Sequence, residues 1–181
     1  MALLAEELVE EWLNRQGFFT IRGIKVGGGH EIDLLAVRPA SSGLECRHLE
    51  VQASVRPASY LTGLPKAVQR NTGRGAHSAK LRSEEELRQG VAEWIEKKFD
   101  RPDTQRIKRR LAPGPWSREL VVHRVKIPRE LELLAEAGVT VLRLSEVLIS
   151  LMAGGLLLEG TTGAHLVDLI TLTTEPASVA P

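Results

Sequence analysis

The sequence predicts an α/β fold, with a mixed central β-sheet flanked by helices, in a single domain over residues 1–174 that precedes a disordered tail at 175–181. Amphipathic helical stretches alternate with short apolar runs along the 181 residues. Residues 120–152 have the pattern strand, helix, strand, helix, which implies parallel strands joined by a right-handed crossover. The composition, 43% hydrophobic and 26% charged, is typical of globular domains and argues against disorder.

The first third of the chain predicts one helix followed by three strands. Residues 2–16 place Leu4, Leu8 and Trp12 on one apolar stripe, and Gly17 stands where a glycine commonly ends a helix. Apolar runs between turn residues then predict strands at 18–25, 31–37 and 45–54.

The remainder alternates between helices and strands after an irregular middle. Lys66 opens a short predicted helix, and Ser83 with Glu86 forms a capping-box pattern for a helix that extends to Phe99. Residues 101–116 are basic and contain prolines, which predicts a linker. The final unit predicts a strand at 120–127, a helix at 128–138, a strand at 139–144 and a helix at 145–152.

Two acids on neighbouring predicted strands form the main candidate site. If these strands pair symmetrically about Ser41 and Ser42, Asp33 lies opposite Glu50, with the two Cβ atoms about 5 Å apart. Like charges facing each other in a largely apolar setting need compensation, and a hard divalent cation such as Mg²⁺ supplies it. The alternative is that both acids lie at solvent-exposed strand ends or pair with Arg and Lys.

These residues carry a resemblance to a known superfamily. Glu31-Ile-Asp33-Leu-Leu-Ala, followed after a connection by Leu49-Glu50-Val51-Gln52, resembles the motif of the PD-(D/E)XK nucleases. Glu7, on the first helix, matches the position of that superfamily's helical Glu. The resemblance implies a restriction-endonuclease-like or resolvase-like core: a helix, a three-strand meander, a helix and a strand, then a β-α-β finish.

The resemblance also implies a chemistry, namely metal-dependent hydrolysis of DNA phosphodiester bonds. Asp33 and Glu50 would bind Mg²⁺, for which Mn²⁺ would substitute, with the Val51 carbonyl and Glu7 as further ligands. Gln52 would lie beside the attacking water as a catalytic residue with Asp33, Glu50 and Glu7. The superfamily's usual Lys is Gln52 here, and Lys66 or Lys25 are candidates to replace it.

A basic segment predicts contact with nucleic acid. Residues 101–129 hold nine Lys and Arg against two acids, in a chain of formal net charge +1. The alternative is a solvated run of surface charge. The candidate phosphate-binding residues are Arg106, Lys108, Arg109, Arg110, Lys66, Arg70 and Arg74.

Three functions follow as hypotheses. The first is a DNA endonuclease of repair, recombination or genome defence; the second is a catalytically degenerate module of the same fold that binds nucleic acid or protein. The third is an interaction subunit that docks through apolar residues 147–170. DNA is the expected partner, and a homodimer or a partner subunit stays open. We expect a cytoplasmic location, no membrane segment and, since residues 27–29 lack G-x-G-x-x-G spacing, no nucleotide cofactor.

Overall fold

The computed structural model describes residues 2–41, 43–54, 59–161 and 163–174, and their strands form a five-stranded sheet in the order β1-β2-β3-β4-β5. The first three strands are antiparallel, whereas β4 runs parallel to both β3 and β5. The predicted α/β class, with a mixed sheet flanked by helices, is confirmed. The strands are β1 (Phe19–Val26), β2 (His30–Ala40), β3 (Gly43–Gln52), β4 (Ser117–Val122) and β5 (Thr140–Arg143).

Helices cover both faces of this sheet. Three begin at a cap or a proline: Ser83 caps the third helix through a complete capping box with Glu86, and Pro102 and Pro128 occupy the first turns of the fourth and fifth. The helices are α1 (Ala2–Arg15), α2 (Lys66–Thr72), α3 (Glu84–Ile95), α4 (Pro102–Leu111), α5 (Pro128–Glu136), α6 (Leu144–Ala153) and α7 (Ala164–Thr174), and a π-turn (Glu96–Asp100) extends α3.

The register between β2 and β3 matches the predicted one. Leu34 pairs with Leu49 and Ala40 with Gly43, so the same offset puts Asp33 across from Glu50. Because side chains alternate along a strand, Asp33 and Glu50 share one face of the sheet and the leucines lie on the other. This register brings together the two acids of the candidate site.

The two faces of the sheet have separate apolar cores. On one face, Leu34, Leu49 and Val121 pack with α1, α6 and α7. On the other face, Leu120 and Val122 pack with α3, the π-turn and α5. The apolar residues Val147, Leu151 and Val167 of the C-terminal segment are buried in the first core, while Ile149, Met152 and Leu169 are exposed.

Two buried acids far from the paired carboxylates serve the architecture. Glu11 of α1 accepts hydrogen bonds from Arg15 Nε at 2.7 Å, Thr161 N at 3.0 Å and Gly163 N at 3.1 Å, which ties the segment before α7 to α1. Glu130 of α5 accepts from the backbone N–H groups of Leu61 and Thr62 at 2.8 and 3.0 Å, and from the Thr62 hydroxyl. Both carboxylates are supplied with donors, as buried charges require.

Two sequence predictions differ from the structure. The linker predicted at 101–116 is wrong over its first half, because residues 102–111 form α4. Pro102 occupies the first helical turn, where a missing N–H is harmless, so its presence does not exclude a helix. The sequence predicted no helix or strand in the region where α7 lies. The tail predicted at 175–181 falls outside the described residues. Within the described part of the chain, every helix is too short or too polar to cross a membrane.

Candidate metal and nucleic-acid site

The candidate site lies where the start of β2 meets the end of β3, on the face that carries the π-turn. Glu50 is fully buried, with a relative exposure of 0%, and Asp33 is half-buried. One oxygen of Asp33, Oδ2, accepts a hydrogen bond from the backbone N–H of Val51 at 2.8 Å. The strand register and this bond together hold the two carboxyl groups side by side.

Both carboxyl groups resist ionisation in this position. Burial, the largest cause, and repulsion from Glu50 raise the pKa of Asp33 to about 6. Burial likewise raises the pKa of Glu50 above its ordinary value, although the Lys98 ammonium partly offsets it. Repulsion from Glu50 is thus the second cause of the raised pKa of Asp33, after burial.

Lys98 of the π-turn contacts the pair from the face of the sheet that this turn covers. The Nζ of Lys98 forms an ion pair with Oε2 of Glu50, an oxygen that has no hydrogen-bond partner of good geometry within the described residues. Burial disfavours the charged ammonium, but the carboxylates of Glu50 and Asp33 outweigh that effect and raise the pKa of Lys98. The lysine therefore stays charged and neutralises one of the two acids.

Glu6, which precedes Glu7 on α1, is electrostatically coupled to the pair. Burial, followed by repulsion from Asp33, raises the pKa of Glu6, and Glu50 adds to the effect. Glu7 instead forms an ion pair with Arg22 at 3.2 Å, in a pocket of α1 that also holds Glu10. The resemblance assigned the helical Glu to position 7, whereas the residue coupled to the pair is at position 6.

The remaining predicted members of the site lie around it. Val51 is buried on the opposite face of β3 and contributes its N–H to Asp33, and Gln52 is half-buried at the end of the strand. The two lysines expected to replace the motif Lys lie elsewhere: Lys25 is exposed across from Glu31, and Lys66 is exposed at the start of α2.

The predicted phosphate-binding residues divide into exposed and structural groups. The prediction that Lys108 binds phosphate is wrong. Its side chain is only 3% exposed, and its Nζ donates to the Phe99 carbonyl at 3.1 Å, so it is not available to a ligand. Arg74 is half-buried, pairs with Glu86 at 2.9 Å and donates to backbone carbonyls. The side chains exposed at the surface are Arg106, Arg109, Arg110, Lys66 and Arg70.

The paired acids fit a hard divalent cation that keeps part of its water shell. Unlike Glu11 and Glu130, whose oxygens are surrounded by donors, Glu50 and Asp33 have carboxyl groups that repel each other. No group of three or more His, Cys, Asp or Glu in the described ranges is arranged to hold a metal ion. Mg²⁺ is commonly bound through one or two carboxylates together with waters.

Sequence reasoning missed Glu6, Lys98 and His48, a buried histidine beside Glu50. Lys98 did leave a signal, because it follows Val91 and Trp94 at helical spacing and so lies on an apolar stripe. Glu6 precedes the buried Val9 by one turn. A charged residue on the buried stripe of a helix was the observation that would have identified both.

Fold and site together define an α/β protein that carries a buried carboxylate pair and a lysine at one end of its sheet. No protein-family model matches the chain, and no curated protein matches it. One solved structure, titled "Crystal Structure of Protein of Unknown Function AF1548", is similar to it with a TM-score of 0.46 and 14% sequence identity. The similarity covers 99% of this chain and 71% of the other.

Proposed function

We propose that this chain is a metal-dependent DNA endonuclease of the PD-(D/E)XK type, in which Lys98 replaces the lysine of the motif. The observation that carries the proposal is the buried pair of Asp33 and Glu50 with the Lys98 ammonium on Glu50. Motif residues on adjacent strands and a cation nearby are the parts that phosphodiester hydrolysis requires.

Asp33 and Glu50 would hold Mg²⁺ or Mn²⁺, and the Val51 carbonyl is a proposed further ligand. When bound, the ion supplies a water of lowered pKa and neutralises charge on the scissile phosphate. Glu6 takes the place proposed for Glu7, because its carboxyl group is electrostatically coupled to both strand acids.

The chain's own residues then divide the remaining work. The Lys98 ammonium adds positive charge beside the acids, where charge develops on the phosphate oxygens. Gln52, half-buried at the end of β3, would orient a water through its amide, since an amide donates and accepts but carries no charge. A positive charge on a helix and an amide on the strand would thus share the role of one strand lysine.

Positive side chains near this end of the sheet would bind the DNA backbone. Arg101 and Lys97 lie close enough to lower the pKa of His30, although burial is the largest cause of that effect. Arg101 also donates to the Gly27 carbonyl at 3.2 Å, which joins the β1–β2 turn to the start of α4. The exposed Arg109 and Arg110 of α4 extend this surface away from the acids.

The test is cleavage of linear, branched and single-stranded DNA with Mg²⁺ or Mn²⁺, with EDTA as the control. We expect Asp33→Ala and Glu50→Ala to abolish cleavage yet retain DNA binding, because anionic side chains oppose phosphate binding. Lys98→Gln should slow cleavage by about 10²–10³-fold. Lys80→Gln, the same change at an exposed lysine outside the candidate site, is the matched control. Wild-type rates in the Asp33 or Glu50 variants would refute the proposed site.

The second candidate is a catalytically degenerate module that binds nucleic acid without cutting it. The observation in its favour is that Lys98 already compensates Glu50, so the acids need no metal ion for charge balance. Tight binding with no cleavage of any substrate, in either metal, would favour this candidate over the endonuclease.

A further inference from the structure

His48 lies in the core beside the candidate site. It precedes Glu50 by two residues on β3, so both side chains point to the same face of the sheet. Its relative exposure is 0%, and its ring meets the edge of Phe99 with the ring centres 4.6 Å apart. A polar ring in such an apolar position calls for a reason.

The one polar contact described for this ring is with Glu50. The Nε2 of His48 lies 3.3 Å from Oε1 of Glu50, and Nδ1 has no hydrogen-bond partner within the described residues. A carboxylate only accepts hydrogen bonds, so the Nε2 of His48 carries the hydrogen and donates it to Glu50.

Each oxygen of the Glu50 carboxylate therefore contacts a different partner. His48 donates to Oε1, and Lys98 pairs with Oε2. Phe99 follows Lys98 in the π-turn and packs on the His48 ring, so one turn of backbone positions both partners. Asp33, by contrast, accepts a hydrogen bond at only one of its oxygens among the described contacts, from the Val51 N–H.

We propose that His48 is a positioning residue that fixes the Glu50 carboxylate for binding a divalent cation. The inference rests on the proposed function, because it assumes that Glu50 is a metal ligand. Groups that orient ligands from behind commonly change metal affinity or activity by about 10–100-fold when they are removed.

Two polar substitutions separate orientation from packing. The amide nitrogen of His48→Gln falls near the place of Nε2, whereas that of His48→Asn falls near Nδ1 and stops short of Glu50. We expect His48→Asn to weaken Mn²⁺ binding by the DNA-free protein by about 10–100-fold, and His48→Gln to stay within about threefold of wild type. Cys46→Ala is the control, because Cys46 is buried on the same strand and the same face.

Mn²⁺ affinity is measured by electron paramagnetic resonance or calorimetry, alongside urea unfolding of each variant. Recovery of affinity in His48→Gln but not in His48→Asn, at similar stability, supports the proposal. Equal affinity of both variants to wild type overturns it and leaves the endonuclease proposal standing. Equal loss in both variants also overturns it, because the ring would then matter only for packing. Failure of the wild-type protein to bind Mn²⁺ would overturn both proposals together.

Discussion

Removing the charge of Asp33 should stabilise the metal-free protein, although the same change abolishes the proposed activity. The folded structure holds the Asp33 carboxylate beside that of Glu50, and burial adds to the repulsion. Asp33→Asn keeps the shape of the side chain and an oxygen that can accept from the Val51 N–H. The variant therefore removes the repulsion and leaves the local hydrogen bond in place.

The size of the effect follows from the pKa of Asp33. The pKa rises from 3.8 to about 6 in the folded protein, and a difference of about 2 pH units corresponds to roughly 3 kcal/mol. Since folding raises the pKa, stability relative to the variant falls as the pH rises from about 4 to about 6 and is constant above that. At pH 8 we expect Asp33→Asn to be about 2–3 kcal/mol more stable than wild type.

Urea unfolding of both proteins at pH 8 and at pH 4, in EDTA, measures this difference. Glu31→Gln is the matched control, because it removes an exposed acid from the same strand and should change stability by less than about 0.5 kcal/mol. Added Mn²⁺ should stabilise wild type and leave Asp33→Asn unchanged. A variant no more stable than wild type at pH 8 would refute the reasoning that burial and repulsion from Glu50 destabilise the ionised Asp33.

Three further predictions concern the surface and the core. Changing Arg109 and Arg110 to Gln should weaken DNA binding and reduce the slope of log K against log salt by about 2, whereas an unchanged slope would assign both to solvated surface. Lys108→Met should leave that slope unchanged and lower the free energy of unfolding by about 1.5–3 kcal/mol, because it removes a buried charged donor. Gly90→Ala should destabilise by about 1–3 kcal/mol, although Ala is usually favoured in helices, because its Cβ would lie 2.8 Å from the Gly63 carbonyl oxygen. Urea denaturation checks both core variants, and a gain in stability for Gly90→Ala would contradict the close approach.

Local patterns were sufficient to predict most of the fold and the strand half of the candidate site. Symmetric pairing of the two strand sequences predicted the register that the structure has, so the juxtaposition of Asp33 and Glu50 was predictable from the sequence alone. Capping and proline signals similarly located α3 and α5.

The rest depends on packing between elements far apart in sequence. Which acid of α1 is coupled to the strand pair depends on how that helix packs against the sheet, and one residue separates Glu6 from Glu7. Lys98 reaches Glu50 only because the backbone widens into a π-turn, for which no local pattern in the sequence gave a signal. The helix α4 was not predicted, because its basic composition equally suits a linker.

The π-turn also constrains how this region of the chain can change in length. Its last three residues each bind a different part of the molecule: Lys98 contacts Glu50, Phe99 packs on His48, and Asp100 pairs with Arg118 at 2.8 Å. An α-helix advances about 100° per residue, so deleting one residue there would rotate these side chains away from their partners together. Substitutions at the exposed positions 96 and 97 leave the contacts intact, whereas a single insertion or deletion breaks them all. The spacing from α3 to α4 is thus a fixed length, and only its exposed side chains are free to vary.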